Sequence, residues 1–168
     1  VINHISKSIP INYTLLIKEH PVMNTRGYRD LSFYREISRL PNVKLVSTNM
    51  PSNEIIKKSD LVVTITGTAG LEAAFYGKPS IVLANVMFED IKSVSKIKHI
   101  DNLSKTIKNS LTEKITPQDL IEYIYNTEKN SFSFDFIGMQ ISFSNEFFYG
   151  GFFTDVNISE TKFNKYMD

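Results

Sequence analysis

The chain has 168 residues, 42% hydrophobic and 22% charged, an ordinary globular mixture long enough for one domain to bury a core without staples. Its formal net charge of +1 argues against a dedicated nucleic-acid binder, which carries a strong basic excess. With no cysteine, disulfides, thiolate zinc sites and cysteine nucleophiles are excluded. In chain order, Ile2, Ile5 and Ile9 recur near helical spacing and predict a helix stopped by Pro10. Tyr13 to Lys18 reads as the first strand, ended by Glu19-His20-Pro21, and Val22 to Arg29 as a loop around Gly27. Asp30 is expected to cap a helix carrying Leu31, Tyr34, Ile37 and Leu40 on one face, closed by Pro41. Val43 to Val46 is a second strand, and Ser52 is expected to cap a short helix with Ile55 and Ile56.

Leu61-Val62-Val63-Thr64-Ile65 is β-branched, apolar and bounded by Asp60, which predicts a buried parallel strand. It runs into Thr66-Gly67-Thr68-Ala69-Gly70 and then a helix over about 69–76, with Leu71, Ala74 and Phe75 at helical spacing and Gly77 at its end. Strand, glycine-hydroxyl turn and helix in that order aim free backbone N–H groups at whatever sits above the sheet, which suits a phosphate. A small-residue turn is also what close strand–helix packing alone requires. Ser80 to Ala84 is a fourth strand, Asn85 to Asp90 a loop, and Lys96 to Ile100 a weaker strand. Asp101 is expected to cap a helix with Leu103, Ile107 and Leu111 on one stripe. Thr116-Pro117-Gln118-Asp119 starts the next helix, with Leu120, Ile121 and Ile124 expected on its buried face.

Strands alternating with helices predict an α/β, Rossmann-like parallel sheet with helices on both faces, and ligands at the carboxyl ends of its strands. Lys18 to Pro21 and Thr66 to Gly70 both fall at such ends. The expected division is residues 1–130 as this domain and 131–168 as a phenylalanine-rich arm, since eight of the twelve phenylalanines lie between Ser131 and Phe153. In the arm, Phe132, Phe134 and Phe136 alternate as in a strand, and Asn145 to Tyr149 suits a helical turn. Such an arm packs on its own domain or on a preceding one. No run is apolar enough to span a bilayer, no signal peptide opens the chain, and the start at Val1 leads to the expectation of a longer protein with an N-terminal domain.

Four separated motifs stand in order: Ile17-Lys18-Glu19-His20-Pro21, Leu40-Pro41-Asn42-Val43, Ser59 through Ala73, and Gly77-Lys78-Pro79. Over about residues 10–90 the chain thereby resembles the C-terminal half of the capsule polysaccharide biosynthesis proteins, bacterial GT-B-type glycosyltransferases that include Kdo transferases. The resemblance implies a two-domain enzyme whose C-terminal domain holds the nucleotide of the activated sugar. It also implies that the N-terminal domain holds the acceptor and usually the catalytic base, so the resemblance assigns no catalytic residue among these 168. Neither metal nor cofactor is implied, because helix N-termini and basic side chains stabilise the departing phosphate.

His20 stands where related sialyl- and Kdo-transferases carry a histidine-proline element, which implies a donor to the nucleotide phosphate; a histidine bonded to a neighbouring loop carbonyl is the plainer alternative. Lys18 can supply charge to the same phosphate or simply be solvated. Thr66, Gly67, Thr68, Ala69 and Gly70 would form the anion-binding turn. Glu72 matches an acid that holds the ribose in related GT-B enzymes, although the dipole alone favours an acid in a first helical turn. Arg26 and Arg29 can reach an anionic sugar or phosphate, and Asn85 is a candidate by position. Glu19 and Glu72 are not tied by anything in the sequence as an acid/base pair.

The expected function is therefore the nucleotide-sugar-binding domain of a glycosyltransferase in surface polysaccharide biosynthesis. It would take a CMP- or UDP-linked donor and a glycan or glycolipid acceptor, bind no nucleic acid, and work in the cytoplasm with peripheral contact to the inner membrane allowed. A non-hydrolysing nucleotide-sugar 2-epimerase and a polyol-phosphate transferase are rivals on similar folds. A non-catalytic docking module of an export assembly is the rival of a different class.

Overall fold

Neighbouring residues of a strand point to opposite faces of its sheet, so two consecutive buried apolar residues require cover on both sides. Ile81 and Val82 are such a pair, each with 0% of its surface exposed, in the strand Ser80–Val82. The computed structural model that shows this describes residues 1–133, 135, 137–139, 141, 148–149 and 152–153, with Asn24, Arg26, Phe148, Tyr149, Phe152 and Phe153 described by their backbone alone. The chain's contacts divide it into two units, Val1–Thr127 and Glu128–Asp168.

In the first unit the order is α1 (Ile2–Ser8), β1 (Leu15–Lys18), α2 (Met23–Arg26), α3 (Leu31–Ser38), β2 (Val43–Val46) and α4 (Ser52–Lys58), followed by β3 (Val62–Thr64), α5 (Ala69–Phe75), β4 (Ser80–Val82) and β5 (Val94–Lys96). A 3₁₀ turn, Ile100–Asn102, then leads into α6 (Leu103–Thr112), and α7 (Pro117–Lys129) follows. All pairing here is parallel: β1 with β2 in one sheet, and β3-β4-β5 in another with β4 central. Val82 enters a cluster with Ala74, Phe88, Ile91 and Val94, against which Leu71, Leu120 and Tyr123 pack. Ile81 enters the opposite cluster with Ile5, Leu103 and Ile107, and Leu15 of β1 and Val63 of β3 pack on it. The expected α/β fold, with parallel strands and helices on both faces, is thus present around β4.

Local chemistry explains most boundaries. Asp30 accepts the Ser32 N–H at 2.7 Å and opens α3 as expected. Gly77, with φ of 62°, ends α5: its N–H bonds the Ala74 carbonyl and the Lys78 N–H bonds that of Ala73, the paired arrangement that a left-handed residue permits. Asn42, in the second of the four motifs, has a structural task. Its amide donates to the Ser6 carbonyl and accepts the Ser6 hydroxyl, both at 2.7 Å, while its own carbonyl accepts the Leu15 N–H.

Several expectations are corrected. The 22–29 segment contains the single turn α2, which Gly27 ends with φ of 89°. Ser52 is the first residue of α4 rather than its cap; Pro51 precedes the helix and no side chain caps it. The fifth strand lies earlier than Lys96–Ile100, because pairing with β4 takes Val94 opposite Ser80, which buries Val94. Asp101 sits inside the 3₁₀ turn and caps nothing; Asn102 precedes α6. On α7 the inward stripe is Leu120 and Tyr123, three residues apart, while Ile121 and Ile124 are 54% and 41% exposed. The Tyr123 ring supplies apolar surface that counting aliphatic residues overlooks.

In the second unit, β6 (Phe148–Tyr149) pairs antiparallel with β7 (Phe152–Phe153), Phe148 opposite Phe153 and Tyr149 opposite Phe152. This corrects the helical turn expected over Asn145 to Tyr149 at its last two residues. Residues 131–133 form no strand, and the alternation expected at Phe134 and Phe136 lies outside the described residues, as do 142–147, 150–151 and 154–168.

Candidate functional site

The carboxyl end of β1 gathers charge. Lys18 Nζ donates to the carbonyls of Glu19 at 3.3 Å and Thr48 at 3.2 Å, tying β1 to the loop after β2. Glu19 has 12% of its side chain exposed and is fully engaged: Oε1 accepts Arg29 Nε at 2.9 Å and Oε2 accepts the Tyr34 hydroxyl at 2.6 Å. That carboxylate pushes the Tyr34 phenol above its ordinary value, because the bond requires the proton. His20 is exposed, and its Nδ1 accepts the Val22 N–H at 3.1 Å. In the neutral ring the proton therefore sits on Nε2, which has no protein acceptor among the described residues. The bond that His20 makes within the loop is to the Val22 N–H and not to a carbonyl.

At the end of β3 the turn is built on Thr64, whose place in an apolar run gives no sign of this role. Its hydroxyl accepts the Gly67 N–H at 3.0 Å, and a Cβ on Gly67 would lie 2.8 Å from that same oxygen. Gly70 is buried, and a Cβ there would lie 3.0 Å from the Phe88 ring and 3.4 Å from Thr64 Cγ2. A side chain at either position would thus force a neighbour to shift, Thr64 at Gly67 and Phe88 at Gly70. The Gly70 N–H bonds the Gly67 carbonyl, whereas the N–H groups of Thr68 and Ala69 have no protein acceptor among the described residues. Thr66, Gly67 and Thr68 are exposed and Ala69 is half-buried at the start of α5. The Thr68 hydroxyl donates to Glu72 Oε1 at 3.0 Å, which gives Glu72 a role in shaping the turn.

Asn85 is exposed after β4. Glu89, in the same loop, accepts Lys96 Nζ at 2.8 Å and the Val86 N–H at 3.4 Å, and the ammonium holds its carboxyl below the ordinary value. The structure thus groups Lys18, His20 and Arg29 at the end of β1, and Thr66 to Gly70 with Glu72 at the end of β3. No hydrogen bond or ion pair joins the two groups among the described residues. The side chain of Arg26 lies outside the described residues.

A cleft of about 290 Å³ opens elsewhere, between Met87–Lys92 and α7. Asp90, Asp119 and Glu122 line it against the single ammonium of Lys92, a balance that repels phosphate. Lys92 holds Asp119 at 2.8 Å and keeps that carboxyl below its ordinary 3.8. A carboxyl lowered on folding stabilises fully above its unfolded value and loses that contribution as pH falls through the folded one. Stability is accordingly expected to hold down to about pH 5 and to fall below it, as Glu89 and Asp119 take up protons. Urea titrations between pH 7 and 2 check this; a Lys92→Met, Lys96→Met double variant is expected to show the shallower acid loss, and an unchanged profile would refute the assignment.

A family model described as capsule polysaccharide biosynthesis protein matches residues 1–132. The capsule polysaccharide export protein KpsS of Escherichia coli is similar at 31% identity over 102 residues, which cover 56% of this chain and 25% of that protein. The chain thus spans about a quarter of the length of the curated relative it matches. A solved structure described as the glycotransferase of kitacinnamycin matches 73% of this chain and 32% of its own, with 16% identity and a TM-score of 0.49.

Proposed function

Because the chain belongs to the capsule polysaccharide biosynthesis protein family, we propose that it is the nucleotide-sugar-binding part of a GT-B-type glycosyltransferase acting in bacterial surface polysaccharide synthesis. The observation that carries this reading is the turn after β3, where Thr64 consumes the Gly67 N–H and the N–H groups of Thr68 and Ala69 have no protein acceptor among the described residues. His20, whose Nε2–H has no protein acceptor among the described residues, adds a donor at the end of β1. In the reaction the bond between the sugar's anomeric carbon and the donor phosphate breaks as an acceptor hydroxyl oxygen attacks that carbon. Charge then accumulates on the leaving nucleotide phosphate, and fixed N–H donors stabilise it more than they stabilise the bound donor. The acceptor proton goes to a base that this reading assigns to an N-terminal domain. The donor is CMP- or UDP-linked, the acceptor a glycan or glycolipid, no metal takes part, and the work is done at the cytoplasmic side of the inner membrane.

Calorimetry with CMP and UDP tests it. One nucleotide is expected to bind, and His20→Ala to weaken it by roughly tenfold, the worth of one charge-assisted hydrogen bond. The loss should come without a change in melting temperature, since His20 is exposed. If neither nucleotide binds at millimolar concentration, the donor-site reading fails. A second reading then gains, favoured by the name of the similar export protein: a non-catalytic module that docks a partner of an export assembly through its phenylalanine-rich segment.

A further inference from the structure

Arginines on a surface usually sweep many rotamers, and an anion that binds one must first immobilise it. Arg29 is restrained already. Its Nε is held by Glu19 Oε1 at 2.9 Å, and its guanidinium carbon lies 4.9 Å from the centre of the Phe33 ring. Glu19 is itself fixed from its other oxygen by Tyr34, whose hydroxyl also accepts the Arg29 backbone N–H at 3.4 Å. The restraint uses only one of the five guanidinium N–H donors. The terminal Nη1 and Nη2 groups have no protein acceptor among the described residues, and 55% of the side chain is exposed. A carboxylate on Nε and a ring against the guanidinium leave the far edge of the fork open, the edge that takes a planar oxyanion through two parallel hydrogen bonds.

We propose that Arg29 is a pre-organised oxyanion fork at the carboxyl end of β1, with Glu19, Tyr34 and Phe33 as its positioning residues. The inference rests on the nucleotide-sugar reading of that edge and adds a determinant to it: the ligand carries an oxyanion that Arg29 grips beside His20. The oxyanion is a phosphate of the nucleotide or a carboxylate on the transferred sugar. Glu19 and His20 are adjacent in the chain, so the fork and the His20 Nε2–H serve the same strand end. Pre-organisation makes geometry matter as well as charge. Lysine in place of arginine keeps the charge and loses both the fork and the Nε anchor.

The test is calorimetry on the unaltered chain, Arg29→Lys, Glu19→Gln and His20→Ala, with cytidine, CMP and CMP-N-acetylneuraminate as probes. Arg29 is half-exposed, so Arg29→Lys is expected to fold normally, which circular dichroism checks. If phosphate is gripped, Arg29→Lys weakens CMP by about tenfold and leaves cytidine unchanged. If the sugar carboxylate is gripped, CMP is unaffected and the sugar nucleotide alone loses about tenfold. Glu19→Gln is expected to weaken the same probe by a smaller factor, because the fork loses an ionic anchor while its charge stays. Equal affinity of Arg29→Lys and the unaltered chain for all probes, with His20→Ala still weakened, overturns the fork and leaves the donor-site reading standing. Failure of every probe, and of UDP, to bind the unaltered chain overturns both.

Discussion

Replacing Ile81 with alanine is expected to lower the unfolding free energy by about 2–5 kcal/mol, the range for deleting a buried branched side chain whose site cannot collapse. Ile81 has no exposed surface and lies on the central strand β4, where α1 and α6 supply Ile5, Leu103 and Ile107. Leu15 from one sheet and Val63 from the other pack on the same cluster, so a cavity there loosens the first unit at its centre. Total stability of a domain is about 5–15 kcal/mol, so the loss is a large fraction of it. Urea unfolding by circular dichroism measures the loss. Ile121→Ala is the control, because an isoleucine 54% exposed on α7 should change stability by no more than about 0.5 kcal/mol. Equal losses from the two changes would contradict the packing described.

The second large effect concerns the turn after β3. Gly67→Ala is expected to weaken nucleotide binding by roughly tenfold or more, since two open N–H donors lose their aim. The physical cause is one atom: the new methyl would stand 2.8 Å from Thr64 Oγ1, the oxygen that accepts the Gly67 N–H. Either the threonine rotates or the turn moves, and the bond is lost in both cases. Thr64→Val removes the same bond while keeping the side chain's shape, and should reduce binding similarly. Because both act through one hydrogen bond, the double variant is expected to bind no worse than either single one. Unchanged affinity in Gly67→Ala would mean that the ligand does not use this turn, whatever its role in packing.

The alternation of strand-like and helix-like segments was legible because it depends on local rules. Asp30 opens a helix, Gly77 closes one, and the apolar runs at 61–65 and 80–84 hold the parallel strands Val62–Thr64 and Ser80–Val82, although the first is half-buried rather than buried and Ile65 is exposed. The candidate site was legible in outline for the same reason, since a strand, a glycine-hydroxyl turn and a helix must leave N–H donors at their junction. The neighbours across the fold were not. Glu19 looked like an isolated acid, yet it is the hub that binds Arg29 and Tyr34, ten and fifteen residues away. Thr64 looked like a strand residue, and only the backbone's return at Gly67 gives its hydroxyl a purpose.

What the sequence determined by itself, then, was the order and type of most elements, the class of the fold, and the strand ends at which a ligand is expected. Which apolar stripe of α7 turns inward, where β5 begins, and which charged groups hold one another were decided only by the tertiary structure. The reason is physical: hydrogen bonds within a turn and periodicity within a helix act between residues a few positions apart, whereas burial and ion pairing depend on surfaces that meet only after the chain has folded. Tyr123 in place of Ile124 on the core, and Glu19 between Arg29 and Tyr34, are both outcomes of that meeting.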